Sequence, residues 1–382
     1  MRMMACLLLA GACGALPCDA EPADAPVVEP AAEPELQRFE YLKPHMGVAF
    51  VIRLYAADEA AANQAAEAAF ARIAELDGIL SDYDPDSELM RLCRDSGPGK
   101  PVQVSEELAY VLSRALTLAE RTDGAFDVTV GPVVRLWRRA RRRREMPDAA
   151  ALAEARALVG WKNVRLVGQA FQPAVGESSG NRARQTSHTR QTVMSAPRVE
   201  LLKPGMRLDL GGIAKGYAGD EALRVLRAHG IGRALIDGGG DIVVGDPPPG
   251  REGWRIGVAP LEKPDGPPSR HLILANQSVA TSGDAFQHVE IAGTRYSHIV
   301  DPKTGLGLTS RSSVTVIAPA GIDADALASA VSVLGPEKGI ALIDATPGAA
   351  ALVVQVEEGK PRTFASKKLS RFEESTDEEN GR

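Results

Sequence analysis

Leu208-Asp209-Leu210-Gly211-Gly212-Ile213-Ala214-Lys215-Gly216-Tyr217-Ala218 runs from a short strand pattern into a glycine pair and then into helical spacing that reaches about His229. A strand entering such a turn brings free backbone N–H groups and the Lys215 ammonium to one place, where a phosphate can sit. Taken alone, the glycine pair lacks the full spacing of a nucleotide fingerprint and favours a tight turn with a solvated lysine. Upstream, Phe50, Ile52 and Leu54 alternate as in a strand, and Asp58 to Leu80 carries apolar residues at helical spacing behind a capping Asp. Ser105 to Arg121 reads as a second helix, stopped at Asp123-Gly124. Downstream, several short strands fall between Arg233 and Val316, and Asp323 to Leu334 reads as a helix. Strands and helices mix without the regular alternation of a doubly wound sheet, so the expected class is α+β.

The chain's 382 residues leave the domain count open, while 44% hydrophobic residues with only 4% aromatic require a core of Ala, Val, Leu and Ile. The formal charge of -6 and the lack of a broad basic face argue against nucleic-acid binding. The basic run Arg138 to Arg144 reads as a solvated helix face. Three of four cysteines, Cys6, Cys13 and Cys18, fall in an apolar N-terminal stretch of the export type, too short to remain as a membrane span. Residues 1–18 are therefore expected to be a signal peptide or lipoprotein signal, with acylation at Cys13, or at Cys18, left open. Only Cys93 remains downstream, which leaves the body without an intramolecular disulfide.

Residues 19–38, rich in Pro, Ala and acids, are expected to be a disordered tether, and 39–365 the folded domain. Residues 168–198 change to Gln, Ser, Thr, Arg and Gly and read as an insert, and 366–382 as a charged tail.

Three further segments carry chemistry. Gly124-Ala125-Phe126-Asp127 lets a backbone approach a flat ligand beside an aromatic ring, or simply ends a helix before a core Phe. Thr281-Ser282-Gly283-Asp284 with Ser297-His298-Ile299-Val300-Asp301-Pro302 groups hydroxyls, acids and His298, the sharpest base candidate among six histidines. Asp325 and Ser329 stand four apart on one helix face, hard oxygen donors that suit magnesium; helix capping by Asp323 or Asp325 is the plainer alternative.

In order, these segments resemble the ApbE family, the FAD:protein FMN transferases. The likeness extends from His45-Met46-Gly47 through Leu80-Ser81-Asp82-Tyr83, the glycine turn, Gly238-Gly239-Gly240-Asp241 and the His298 segment to Asp325 and Ser329. It implies a single domain of the T-fold-related ApbE type, with mixed sheets and flanking helices. It also implies that Met46, Tyr83, Gly124, Ala125, Phe126 and Ile299 line an FAD site and that Asp209 and Lys215 hold its polar parts. The Gly212 carbonyl, Asp325 and Ser329 would bind Mg2+, and His298 would be the catalytic base. The implied reaction moves FMN from FAD to a Thr or Ser hydroxyl of an exported acceptor protein carrying a Ser/Thr-Gly-Ala-Thr-like segment, with release of AMP. The implied location is periplasmic, with a lipid anchor at the inner membrane left open. An FAD pyrophosphatase and an exported FAD carrier use the same contacts, while nothing marks a second redox partner's site. Ser329 stands where many members have Thr, Ala285 where an aromatic is common, and Gly307 where Pro often follows the turn.

Overall fold

A computed structural model describes residues 35–168, 196–263, 266–283 and 287–374. The export-type leader with Cys13 and Cys18, most of the tether and insert, Asp284, Ala285 and the last eight residues lie outside these.

The chain opens with a hairpin, β1 (Gln37–His45) and β2 (Val48–Ala56), in which Phe50, Ile52 and Leu54 point inward as their alternation predicts. Gln37 and Arg38 thus belong to the body rather than to the tether. Helix α1 (Glu59–Leu80) starts where the Asp58 carboxylate accepts the Ala61 N–H, and buries Ala62, Ala65, Ala66, Ala69, Phe70, Ile73 and Leu76. After α2 (Glu88–Asp95) and the short β3 (Val102–Gln103) comes α3 (Glu106–Arg121), capped by Ser105 and ended by Asp123 and Gly124, both left-handed at φ 49° and 75°. Next are α4 (Gly131–Arg143), α5 (Ala149–Ala157), β4 (Val164–Val167) and β5 (Arg198–Leu201); β3, β5 and β4 make a small sheet.

The strand expected to reach Leu210 is instead β5, which ends at Leu201. Met206 to Leu210 is extended but ladder-free, held to the loop before α4 by the Asp209 N–H donating to the Val128 carbonyl. Helix α6 (Ala214–Ala228) begins two residues later than the sequence implies, because the Leu210 carbonyl closes a turn by accepting the Ile213 and Ala214 N–H groups.

The main sheet then grows through β6 (Ala234–Gly238), β7 (Asp241–Val244), β10 (Gln277–Gly283), β13 (Ser312–Ala318), β14 (Ala350–Glu357) and β15 (Lys360–Ala365). Its eight strands run in the order β1-β2-β6-β7-β10-β13-β14-β15, antiparallel throughout. Two ribbons complete the strands, β8 (Trp254–Val258) with β9 (Arg270–Leu274), and β11 (His288–Ile291) with β12 (Thr294–Ser297). Helix α7 (Gly321–Leu334) lies on β10 and β13 and touches α6, and α8 (Pro336–Asp344) follows it. Every residue of β13 is buried, since α7 covers one face and the β8–β9 ribbon's cluster, which includes Ile317, the other. This cluster also takes in Leu369 and Phe372, and the Phe372 carbonyl accepts the Ile273 N–H at 2.8 Å. Ser366 to Glu374 are therefore part of the folded body, not of a tail. The architecture is α+β, as the sequence predicts.

Helices α6 and α7 touch at backbone level. A Cβ on Gly216 would stand 2.0 Å from the Gly321 carbonyl oxygen, and one on Gly321 would stand 2.4 Å from that of Gly216. Gly216→Ala is expected to lower stability by about 3 kcal/mol. Gly78→Ala, on the exposed side of α1 with nothing within 4 Å, should raise it by about 0.5–1 kcal/mol. Paired denaturant titrations check both, and equal effects would refute the close-contact reading.

Candidate active site

The β1–β2 turn, the β6–β7 turn and the end of β10 lie at one end of the main sheet, where α6 begins and Asp325 of α7 approaches it. Pairing of Phe50 with Gly238 and of Ala280 with Asp241 places them there. Met46 takes φ 50° in the first turn and its N–H donates to Asp77 of α1 at 2.9 Å. Gly239 and Gly240 are left-handed in the second, with φ 73° and 98°, and deliver Asp241 toward α6.

Here the helix ends cap one another. The Gly216 N–H of α6 donates to Asp325 Oδ2 of α7 at 3.2 Å. In return Asp220 of α6 accepts the Gly321 and Ile322 N–H groups of α7 at 2.6 and 2.9 Å. Asp220, not Asp323 or Asp325, therefore serves the start of α7, and Asp323 pairs with Arg114. The N–H groups that the sequence offered to a phosphate are partly engaged: Gly216 faces a carboxylate and Ala214 the Leu210 carbonyl.

Lys215 completes the cluster. Its Nζ donates to Asp241 and lies 3.9 Å from Asp325 Oδ2. Burial opposes its charge, yet the Asp325 and Asp241 carboxylates outweigh that and hold the ammonium above the usual lysine range. Burial foremost, then the neighbouring Asp325 charge, pushes Asp241 up to about 7 against the pull of Lys215, and burial also raises Asp325. One ammonium thus faces two buried acids, and the cluster is short of positive charge. Ser329, one turn after Asp325, packs on the glycine turn: a Cβ on Gly212 would meet Ser329 Oγ at 2.7 Å and the Phe126 ring at 3.6 Å. Among the described residues no three His, Cys, Asp or Glu side chains form a metal cluster. The donor set the sequence singled out is mixed instead, a backbone carbonyl, a carboxylate and a hydroxyl, all hard oxygens with too little cation nearby. That set fits magnesium, which keeps positions for water or phosphate oxygens.

A second cluster adjoins it. Arg138 of α4 binds Asp82 at 2.5 Å and Asp209 at 3.0 Å, and its guanidinium lies 4.0 Å over the Tyr83 ring. Tyr83 is 75% exposed and so keeps a broad surface for a flat ligand. Burial foremost, then the Asp82 charge, pushes the Asp209 carboxyl up to about 6. Arg138 is thus a site residue and not part of a solvated face. The sequence concealed it within an arginine run, and only the convergence of Asp82 and Asp209, far apart in the chain, on its guanidinium exposes its role.

His298 and Ile299 follow β12. His298 N donates to the Gln287 carbonyl, and Nδ1 lies 3.1 Å from the same oxygen. This hairpin is seated on α4 by Trp137, whose Nε1 donates to the Gly305 carbonyl and whose ring stands 5.1 Å from that of Tyr296. Lys303 pairs with Asp123 at 2.6 Å, joining the His298 segment to the Gly124 turn. Ala125 and Phe126 are buried there, and Asp127 fixes the loop by accepting from Thr129 and Trp161.

With this arrangement in place, the sequence profile of the ApbE family matches residues 46–353. The chain belongs to the ApbE family. It is similar to the FAD:protein FMN transferase of Treponema pallidum (strain Nichols), 36% identical over 313 residues that cover 79% of this chain and 80% of that protein. Among solved structures it resembles the flavin transferase ApbE from Vibrio cholerae, with TM-score 0.71 and 26% identity, covering 88% of this chain and 100% of the other. The ApbE protein from Thermotoga maritima superposes with TM-score 0.73 and 29% identity, over 89% and 100%. The matched residues take in the glycine turn and α7, so the meeting of α6 and α7 lies inside the family match.

Arg138→Met leaves two carboxylates facing each other, and is expected to cost about 3 kcal/mol at pH 7.5. Asp209 already titrates upward in the folded state, so protonation removes the repulsion and the deficit shrinks as pH falls toward 5. Denaturant unfolding of both proteins at the two pH values checks this; a deficit independent of pH contradicts it.

Proposed function

We propose that this chain is an FAD:protein FMN transferase that uses magnesium, FAD as donor and a Thr or Ser hydroxyl of an exported protein as acceptor. The observation that carries this reading is the Lys215–Asp241–Asp325 cluster, short of positive charge, beside Gly212, Ser329 and Phe126. A pyrophosphate with its cation suits that polar end, while the exposed Tyr83 ring and the Gly124–Phe126 backbone suit the flat rings of FAD.

In this reading the acceptor hydroxyl attacks the phosphorus on the FMN side. A new P–O bond joins FMN to the protein as a phosphodiester, and the P–O bond to AMP breaks. With an Nδ1 proton donated to the Gln287 carbonyl, His298 presents the Nε2 lone pair as base and takes the hydroxyl proton. Lys215 offsets charge on the pyrophosphate oxygens from a position that Asp241 fixes. The Gly212 carbonyl, Asp325 and Ser329 would hold a magnesium ion, which would supply the remaining neutralisation of the leaving phosphate. Asp209, locked by Arg138, and Met46, at the β1–β2 turn, complete the FAD side. Ile299, next to the base, bounds the site where the hydroxyl enters. The export-type leader supports action in the periplasm, on an acceptor bearing a Ser/Thr-Gly-Ala-Thr-like segment; acylation at Cys13 or Cys18 would anchor the chain to the inner membrane.

The test mixes the mature chain, FAD, magnesium and such an acceptor, and weighs the acceptor by intact mass spectrometry. The expected gain is FMN less one water, lost with EDTA. His298→Ala should reduce transfer at least about a hundredfold with FAD still bound, and Asp325→Ala should abolish both transfer and its metal dependence. AMP release with no change in acceptor mass would instead make the chain a pyrophosphatase, and FAD bound without turnover a carrier.

A further inference from the structure

Helix α4 presents two faces. Val133, Trp137 and Ala140 are buried and seat the helix against the His298 hairpin. Arg135, Arg139, Arg142 and Arg143, spaced i, i+4, i+7 and i+8, form a stripe on the opposite, exposed side. Among the described residues, none of these four takes part in an ion pair or side-chain hydrogen bond. A favourable interaction with the helix C-terminus accounts for the arginines of the last turn but not for Arg135 and Arg139. Like charges four apart repel. In a chain of net charge -6, such a stripe is a local concentration of positive charge with no internal partner.

Its location is tied to the site. Between the stripe and the buried face stand Arg138, which holds Asp82, Asp209 and Tyr83, and Arg141, whose Nη1 lies 3.3 Å from Gln287 Oε1. The Gln287 carbonyl is the group that meets His298 N and Nδ1. The segment that places His298 therefore also holds α4 through Arg141, and the stripe lies on the solvent side of that same helix, within reach of a chain that flanks the acceptor hydroxyl.

We propose that the Arg135–Arg139–Arg142–Arg143 face of α4 docks an acidic segment of the acceptor protein that flanks the modified Ser or Thr. The inference rests on the transferase reading. Guanidinium groups in a row match carboxylates by paired, directional hydrogen bonds and steer an acidic partner from a distance. A membrane surface fits the face less well. Helices that lie on lipid expose apolar residues for insertion, whereas the apolar side of α4 is spent on Trp137 and the His298 hairpin.

The test uses the mature chain with FAD and magnesium and two synthetic acceptor peptides, each with a Ser/Thr-Gly-Ala-Thr-like core, one flanked by Asp and Glu and one by Asn and Gln. The wild type should prefer the acidic peptide by roughly tenfold in kcat/KM, through KM, and lose the preference as salt rises. The variant R135Q/R139Q/R142Q/R143Q should modify both peptides at the neutral-peptide rate with the KM for FAD unchanged, and the corresponding Lys variant should keep most of the preference. A fluorescent acidic peptide with Ala at the acceptor position reads docking without chemistry, and its Kd should rise roughly tenfold in the Gln variant. If transfer fails on both peptides while this binding difference persists, the transferase reading falls and the docking face stands. Equal binding by wild type and Gln variant overturns the docking face, whatever the transfer result. So does loss of binding to vesicles of anionic phospholipid with no change toward either peptide, which would assign the stripe to a membrane.

Discussion

Two helices meeting at glycine set the geometry on which the rest of this protein depends. Gly216 and Gly321 bring α6 and α7 together until each backbone occupies the space of the other's missing Cβ. At that spacing each helix lends a carboxylate to the other's first turn, Asp325 to Gly216 and Asp220 to Gly321 and Ile322. Helix N-termini carry unsatisfied donors and partial positive charge, so a buried acid from a neighbouring helix satisfies both at once. Burial nonetheless pushes the Asp220 carboxyl up to about 7 against those two N–H groups. Because Lys215 and Ser329 lie one position before Gly216 and one turn beyond Asp325, the same crossing fixes where the ammonium and the hydroxyl stand.

The electrostatics repeat one theme twice. Lys215 stands between Asp241 and Asp325, and Arg138 between Asp82 and Asp209. In each case a single cation faces two acids, and burial makes Asp241 and Asp325 in the first cluster and Asp209 in the second reluctant to ionise. The two clusters differ in what they leave over. The lysine cluster faces hard oxygen donors and suits a cation with phosphate, while the arginine cluster supports an exposed aromatic ring from below. A polar end and a flat apolar surface are what a dinucleotide of FAD's shape requires.

Legibility from sequence followed how local each interaction is. Helices α1 and α3 were readable to within a residue, since Asp58 and Ser105 cap their own chains and the apolar spacing lies within one segment. The approach to the glycine pair reads as a strand but forms no ladder: Leu208 and Leu210 are buried in the main core without one, a difference that apolar alternation cannot register. Arg138 and Asp220 were missed for a related reason. Each looks like an ordinary charge on a helix, and its partners lie roughly 60 to 100 residues away in the chain.

By itself the sequence determined the α+β class, the family, the capped helices and the residue types placed at the glycine turn, the His298 segment and the Asp325–Ser329 pair. Local capping, period and ordered motifs are written along the chain, where short-range sterics and hydrogen bonding act. Only the tertiary structure decided which acid caps α7, that Lys215 is shared between Asp241 and Asp325, and that Arg138 of a basic run is drawn into ion pairs while Arg139, Arg142 and Arg143 face solvent. These outcomes depend on desolvation, and the degree to which a charge is buried, and beside which other charge, exists only once distant segments have packed.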